Sequence, residues 1–218
     1  MSFGEPIALR GQVELEQAAA ATPAEARSSA EAQFIERLRA GDAAAFDRLV
    51  HERSGEVYAL LYRLTEDAEE ARDLTQETFL RVFQNIERFR GDADLKTWIY
   101  RIAINQARNR WRWWRRRRRE ATVSIDASFG EREEPLSDSL RDSQPDPEQE
   151  TLARERETTL RTALHSLSRP FREVLILRDV EGLSYEEIAV ALDMSLGTVK
   201  SRLSRGRLEL RRRIGSSL

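Results

Sequence analysis

The 218-residue chain has no cysteine, and only two of its 36 basic residues, Lys96 and Lys200, are lysine. Without thiols it forms no disulfide, and with His51 and His165 as the only histidines it lacks the Cys/His sets of zinc modules. Long apolar runs are missing too, since no stretch approaches the roughly 20 residues that a membrane-spanning helix needs. The opening residues, MSFGEPIALRGQVELEQAAAATPAEARSS, show no basic start followed by an apolar core and a cleavage site. The expectation is a cytoplasmic protein with no direct membrane insertion. Sustained apolar/polar alternation is also absent, so no strand is expected.

What is present is a hydrophobic content of 40% and a charged content of 34%, the balance of a soluble, helix-rich protein of one or two domains. The formal net charge of −2 hides a strong segregation. Residues 101–119 (RIAINQARNRWRWWRRRRR) hold nine arginines and no acid, while residues 120–150 hold ten acids against Arg132 and Arg141. Residues 196–213 hold seven basic residues against Glu209. Arginine suits bidentate contact with phosphates and bases, and codon bias in an Ala-rich chain explains the scarcity of lysine equally well. Position therefore decides more than the ratio does.

The segment 119–149, with Pro135, Pro145, Pro147 and many Ser and Asp, reads as an acidic flexible linker. Residues 1–29 read as a flexible extension. Helical periodicity marks two blocks, 30–118 and 150–215, giving an all-α expectation of two small helical domains.

In the first block, Gly41 and Asp42 precede Phe46, Leu49, Val50, Val57, Leu60, Leu61 and Leu64, spaced to form the buried side of two short helices. Residues 67–87 form the next helix, with Ala71, Thr75, Thr78, Phe79, Val82 and Ile86 inward. Its other face aligns Asp73, Gln76, Glu77, Leu80 and Gln84. A solvated surface with one stray leucine and a docking surface for a basic partner both fit that spacing. Over residues 95–115, Trp98, Ile99, Ile102, Ala103 and Ala107 are spaced to pack inward. Arg101, Asn105, Arg108, Arg112 and Arg115 share another face, where like charges repel unless a polyanion lies along them. Trp111, Trp113 and Trp114 interleave with these arginines, so both base stacking and ordinary packing fit them.

The second block carries Phe171, Val174, Leu175 and Leu177 on a helix that ends near Gly182. An S-x-x-E capping box (Ser184, Glu187) then opens a short helix with Ile188, Ala189 and Leu192 inward. Past Asp193 and Met194, Ser195 caps a further helix with Val199, Leu203 and Leu210 inward. Two short helices around a tight turn, with a small residue at Ala189, make a helix-turn-helix pattern. Thr198, Ser201, Arg202 and Arg205 would face the bases, and Lys200, Arg207 and Arg211 the phosphates. A helical hairpin without DNA fits the apolar pattern but not the excess positive charge.

DAEEARDLTQETFLRVFQNIERFRGDADLKTWIYRIAINQARNR and GLSYEEIAVALDMSLGTVKSRLSRGRLEL resemble, in order, the two hallmark segments of extracytoplasmic-function sigma factors. The resemblance spans residues 30–115 and 150–213. It implies a sigma region 2 helical bundle at 30–118 and a sigma region 4 helix-turn-helix at 150–215. It also implies a function in promoter-specific transcription initiation, often in a stress response. By that resemblance Asp73, Leu74, Gln76, Glu77, Phe79 and Leu80 bind the clamp coiled coil of core RNA polymerase, and a further contact is made to the flap. The loop RFRGDADLKT, with Arg90, Asp92, Lys96 and Thr97, captures a base of the melted −10 non-template strand. Trp98, Arg101, Asn105, Arg108 and Arg112 position that strand. Thr198, Lys200, Ser201, Arg202, Arg205 and Arg207 read the −35 duplex. The implied partners are core polymerase, promoter DNA and an anti-sigma factor. No cofactor, metal or catalytic residue is expected, because the polymerase makes the phosphodiester bonds.

Three features depart from the family pattern. Gly206 stands where alanine is usual, at a cost of about 1 kcal/mol in helix propensity. Asp193 replaces a turn glycine. The WRWWRRRRR run is unusual, and an added strand contact, a partner site and a solvated tail all fit it. An autonomous regulator with the same helix-turn-helix would leave residues 66–115 without a purpose, and nothing resembles a nucleophile paired with a base.

Overall fold

The computed structural model describes the backbone of residues 23–91, 93–121 and 147–215, and the side chains of residues 30–91, 93–117 and 156–215. Among the described residues all regular structure is helical, in keeping with the all-α expectation. In chain order the helices are α1 (Pro23–Arg39), α2 (Ala43–Thr65), α3 (Ala68–Asn85), α4 (Leu95–Ala121), α5 (Pro147–Ser166), α6 (Arg169–Leu175), α7 (Tyr185–Leu192) and α8 (Leu196–Gly215). A 3-10 turn, Ile86–Arg88, follows α3, and a π-helical turn, Ile176–Val180, follows α6.

Two boundaries differ from expectation. Residues 23–29, read as part of a flexible extension, belong to α1, where a proline suits the first turn and the Ala/Glu content favours helix. The linker read at 119–149 loses its first residues to α4 and its last to α5, and the rest of it lies outside the described residues.

The chain divides into two compact units, Met1–Glu52 and Arg53–Leu218. In the first, Gly41 takes the left-handed φ of 75° that turns the chain out of α1. The Asp42 carboxylate then accepts from the backbone N–H groups of Ala44 and Ala45 at 2.9 and 3.2 Å and from Arg37 at 2.7 Å. That cap starts α2. The Arg37 bond, followed by those from Ala45 and Ala44, holds the Asp42 carboxyl below its ordinary value. Leu38, Ala45, Phe46 and Leu49 are buried, whereas Val50 and His51 are exposed. The two short helices expected here are one. Gly55 meets nothing within 4 Å and has no positive φ, so it lowers propensity without breaking the hydrogen-bond ladder.

In the second unit, Asp67 caps α3 by accepting from Glu70 N–H at 2.9 Å, and Glu69 and Glu70 complement the helix dipole. The stripe Ala71, Thr75, Thr78, Phe79, Val82, Ile86 is buried as expected. Its two hydroxyls are satisfied by donating to the carbonyls of Ala71 and Leu74, each at 2.7 Å. Helix α4 packs against α3 and also against α7. It therefore buries a second stripe, Tyr100 and Ile104, beside the expected Ile99, Ala103 and Ala107, and leaves Trp98 and Ile102 half-buried.

The C-terminal helices follow the caps read from sequence. Ser184 accepts from Glu187 N–H at 3.1 Å while Glu187 accepts from Ser184 N–H at 2.6 Å. Asp193 adopts φ 53°, ψ 59°, the left-handed turn that Asp tolerates better than most residues, and Met194 N–H donates back to the Ala189 carbonyl at 3.0 Å. Ile188 and Leu192 are buried, but Ala189 is only half-buried and Ala191 takes the interior place. Leu210 is half-buried as well.

Helices α6 and α8 approach closely at Gly206, where an added Cβ would lie 3.3 Å from both Leu175 Cδ1 and Phe171 Cβ. The glycine thus has a packing reason that offsets its propensity cost. Gly206→Val is expected to destabilise the protein by about 1–3 kcal/mol through overpacking, and Ser184→Ala by about 1 kcal/mol through loss of the cap. Urea unfolding monitored by circular dichroism measures both, and a Gly206→Val protein as stable as the parent would show that the contact has slack.

Candidate nucleic-acid interface

An open groove of about 310 Å³ lies along α3 and α4, lined by Arg81, Asn85, Arg88, Trp98, Arg101, Ile102, Asn105, Gln106 and Asn109. Arg81, Asn85 and Arg88 recur at steps of four and three from the end of α3 into the 3-10 turn. Arg101, Asn105 and Asn109 recur at steps of four on α4. Trp98 forms part of the wall and is held by the tilted Phe89 ring, with centroids 5.3 Å apart. Three guanidinium groups, four amides and an indole wall, with no carboxylate in the lining, suit an anionic ligand with flat polar bases.

Of the residues expected at the −10 strand, Trp98, Arg101 and Asn105 meet in this groove. Thr97 does not reach it, being buried, and its backbone N–H donates to Asp94 at 2.9 Å to start α4. Lys96 lies 3.5 Å from Glu56 and over the Tyr100 ring at 5.3 Å. Arg90 and Arg112 are exposed and outside the groove lining, and Asp92 lies outside the described residues. Sequence reasoning named Arg88 only as the first residue of the loop and missed Arg81, Asn85, Gln106 and Asn109. The acid-free spacing of 81, 85 and 88 is the signal that ties the first two to it.

Arg108 is turned elsewhere. Its guanidinium grips Glu173 through Nε at 3.1 Å and Nη2 at 2.6 Å, and Nη1 donates to the Leu192 carbonyl at 3.3 Å. Glu173 is 2% exposed and also accepts from Arg169 at 2.8 Å. Desolvation pulls Arg169 below its ordinary value, with Glu173 opposing it. Nearby, Glu181 accepts from the Tyr100 hydroxyl at 2.7 Å and from Arg63 at 2.8 Å. Burial first, and that hydrogen bond second, push the Tyr100 phenol upward, so it remains a donor. His165 sits between Glu66 at 3.0 Å and the Arg63 carbonyl at 2.9 Å. The two blocks of the sequence therefore meet through α4, and a row read as wholly exposed gives one arginine to an internal contact.

On α3, Asp73, Gln76 and Leu80 are exposed and Glu77 is half-buried, 3.6 Å from Arg81. Leu74 and Phe79 are buried, so these two expected polymerase contacts support the helix rather than line its surface. Phe83, at 57% exposure beside Leu80 at 61%, was missed although it lies seven residues after Gln76 on the same face.

On α8, Lys200, Ser201, Arg205 and Arg207 are exposed, and Thr198 and Arg202 are half-buried. The Thr198 and Ser195 hydroxyls lie 2.9 Å apart, and Ser195 accepts from Thr198 N–H at 3.3 Å. Arg207 is bound to Asp179 at 2.5 Å, which raises its affinity for its proton, whereas no carboxylate among the described residues pairs with Lys200, Arg202 or Arg205.

Residues 49–120 match sigma-70 region 2 and residues 158–210 match sigma-70 region 4. The RNA polymerase sigma-H factor of Pseudomonas aeruginosa is 39% identical over 176 residues, which cover 80% of this chain and 89% of that protein. The chain belongs to the extracytoplasmic-function sigma factors of RNA polymerase. The sigma-E factor of Haemophilus influenzae is 37% identical over 174 residues, covering 80% and 89%. Among solved structures, the sigma factor RpoE of Bartonella quintana, in complex with the anti-sigma factor NepR, has a TM-score of 0.60 at 25% identity, covering 78% of this chain and 96% of that one. As a sigma factor the chain acts with RNA polymerase in promoter-specific transcription initiation, a regulatory rather than catalytic role. No described helix is long and apolar enough to cross a membrane, and no described His, Asp and Glu residues group in threes to hold a metal ion.

Glu173→Gln leaves Arg108 and Arg169 facing a neutral amide. It is expected to cost about 1.5–3 kcal/mol, seen as faster hydrogen exchange in α4 and α7 with helix content preserved. Unchanged exchange there would mean that the carboxylate does not hold these helices together.

Proposed function

We propose that this sigma factor captures the melted −10 non-template strand in the α3/α4 groove and reads the −35 duplex with α8. The observation that carries the reading is the groove itself: Arg81, Arg88 and Arg101 around Trp98, with Asn105 and Asn109 on the same wall and no acid among them. A base leaving the stack loses a few kcal/mol of stacking and pairing, which hydrogen bonds and aromatic contact recover. Arg90, Asp92, Lys96 and Thr97 enter as residues of the base-capturing loop and the helix start that follows it, with Thr97 contributing through the cap of α4. Arg112 extends the basic face. Arg108 joins the strand when a phosphate replaces the Glu173 carboxylate.

The −35 element is read by Thr198, Lys200, Ser201, Arg202 and Arg205, with Arg207 moving from Asp179 to a phosphate. Two readers on one chain multiply their effective concentrations, so neither needs high affinity alone. The surface formed by Asp73, Gln76, Glu77, Leu80 and Phe83 docks on the basic clamp coiled coil of core polymerase, with Leu74 and Phe79 supporting it from within, and region 4 docks on the flap. The similarity to a sigma factor solved with its anti-sigma factor supports an anti-sigma factor as a further partner.

Run-off transcription with core polymerase tests the reading. The protein is expected to give core-dependent open complexes without ATP hydrolysis, and failure across a promoter library would refute it. Asn105→Ala should lower open-complex formation about tenfold and spare core binding, the loss of about 1–3 kcal/mol expected for one polar contact. Leu80→Asp should weaken core association by at least about tenfold, as for a contact residue at the centre of an interface, with the groove intact.

A further inference from the structure

Helix α4 does not stop where the groove ends. It continues without a break to Ala121, and Trp111 to Arg117 are all exposed. Several arginines elsewhere on the surface are matched within their own helices, as in Arg48–Glu52, Arg53–Glu56, Arg72–Glu69 and Arg213–Glu209. No carboxylate among the described residues pairs with Arg112, Arg115, Arg116 or Arg117. Four guanidinium groups without a matching acid, on about one and a half turns, repel one another, which costs helix stability unless an outside anion lies beside them.

The aromatic residues organise this charge. Arg115 lies over the Trp111 ring at 5.3 Å and Arg117 over the Trp113 ring at 4.8 Å, so cation–π contact holds both groups. Trp113 and Trp114 meet edge to face at 4.8 Å, and Arg169 lies over the Trp111 ring at 5.4 Å. The indoles are therefore engaged with the protein and serve as supports. Beyond Asn109 this surface has cations and no amide, the chemistry of backbone contact rather than base reading.

Direction and reach follow from the chain. From Asn105 to Arg116 the helix advances about 16 Å, roughly five base pairs of duplex. In the sequence, region 4 follows its C-terminal end, which assigns that end to the −35 side. We propose that Arg112, Arg115, Arg116 and Arg117 bind the phosphate backbone of the spacer duplex immediately upstream of the −10 element, without reading its sequence. The placement rests on the −10 reading above.

The test uses holoenzyme and two forked promoter probes, one with duplex ending at the upstream edge of the −10 element and one with about ten further base pairs, too short to reach the −35 element. The native protein is expected to bind the longer probe more tightly, and R115Q/R116Q/R117Q to lose most of that advantage while matching the native protein on the short probe. The slope of log K against log salt on the longer probe should fall by about 0.9 for each phosphate that is no longer neutralised. The corresponding triple Lys variant should keep most of the slope. Equal binding of native and Gln variants to the longer probe would overturn the proposal. So would a Lys variant as weak as the Gln variant, an advantage that depends on spacer sequence, or a defect confined to core assembly, which would point to a protein partner. Failure of the native protein on the short probe refutes the −10 reading instead, while the difference between the probes still measures what the arginines bind.

Discussion

A carboxylate that is almost wholly out of water must be matched, and Glu173 is matched twice. Removing a carboxylate from solvent costs several kcal/mol, and only well-aligned hydrogen bonds from opposite charges offset it. Arg169 supplies one from its own helix and Arg108 supplies two from α4. Because Arg108 comes from region 2 and Glu173 from region 4, the internal satisfaction of one domain depends on a residue of the other. The hydroxyl of Tyr100 and the guanidinium of Arg63, both bound to Glu181, repeat that dependence beyond the end of α6.

In the proposed reading, promoter DNA competes for this arrangement. A phosphate and a carboxylate make the same bidentate demand on a guanidinium, so the ion pair that closes the protein is a substitute for the one that would engage DNA. Arg207 shows the same logic on α8, where Asp179 occupies a group on the basic face. These acids hold cationic groups in defined places, and in the proposed reading a phosphate takes the place of each carboxylate.

Much of this was legible in local sequence. The capping residues Ser184 and Ser195, the buried stripe from Ala71 to Ile86 and the turn at Asp193 each depend on neighbours within a few positions, and periodicity reports such neighbours directly. The second stripe of α4 was not read, because Tyr100 and Ile104 are buried against elements far away in the chain. Arg108 looked like its neighbours on the row for the same reason. Leu74 and Phe79 were assigned to a surface through family resemblance, which carries a segment over without separating its inner from its outer face. Gly206 read as a defect until its closeness to Leu175 and Phe171 supplied the reason for it.

The π-helical turn at Ile176–Val180 has a consequence of its own. Glu181 N–H donates to the Ile176 carbonyl and Leu183 N–H to the Leu177 carbonyl, each at 3.0 Å, so the bonds span more residues than an α-helix uses. This wider turn sets the angle at which Asp179 meets Arg207 and Glu181 meets Arg63 and Tyr100. Removing one residue there would let the turn close toward the α-helical count and change the angle at which the chain leaves α6. In that stretch the chain encodes an angle by counting residues, and a deletion would do more harm than most substitutions.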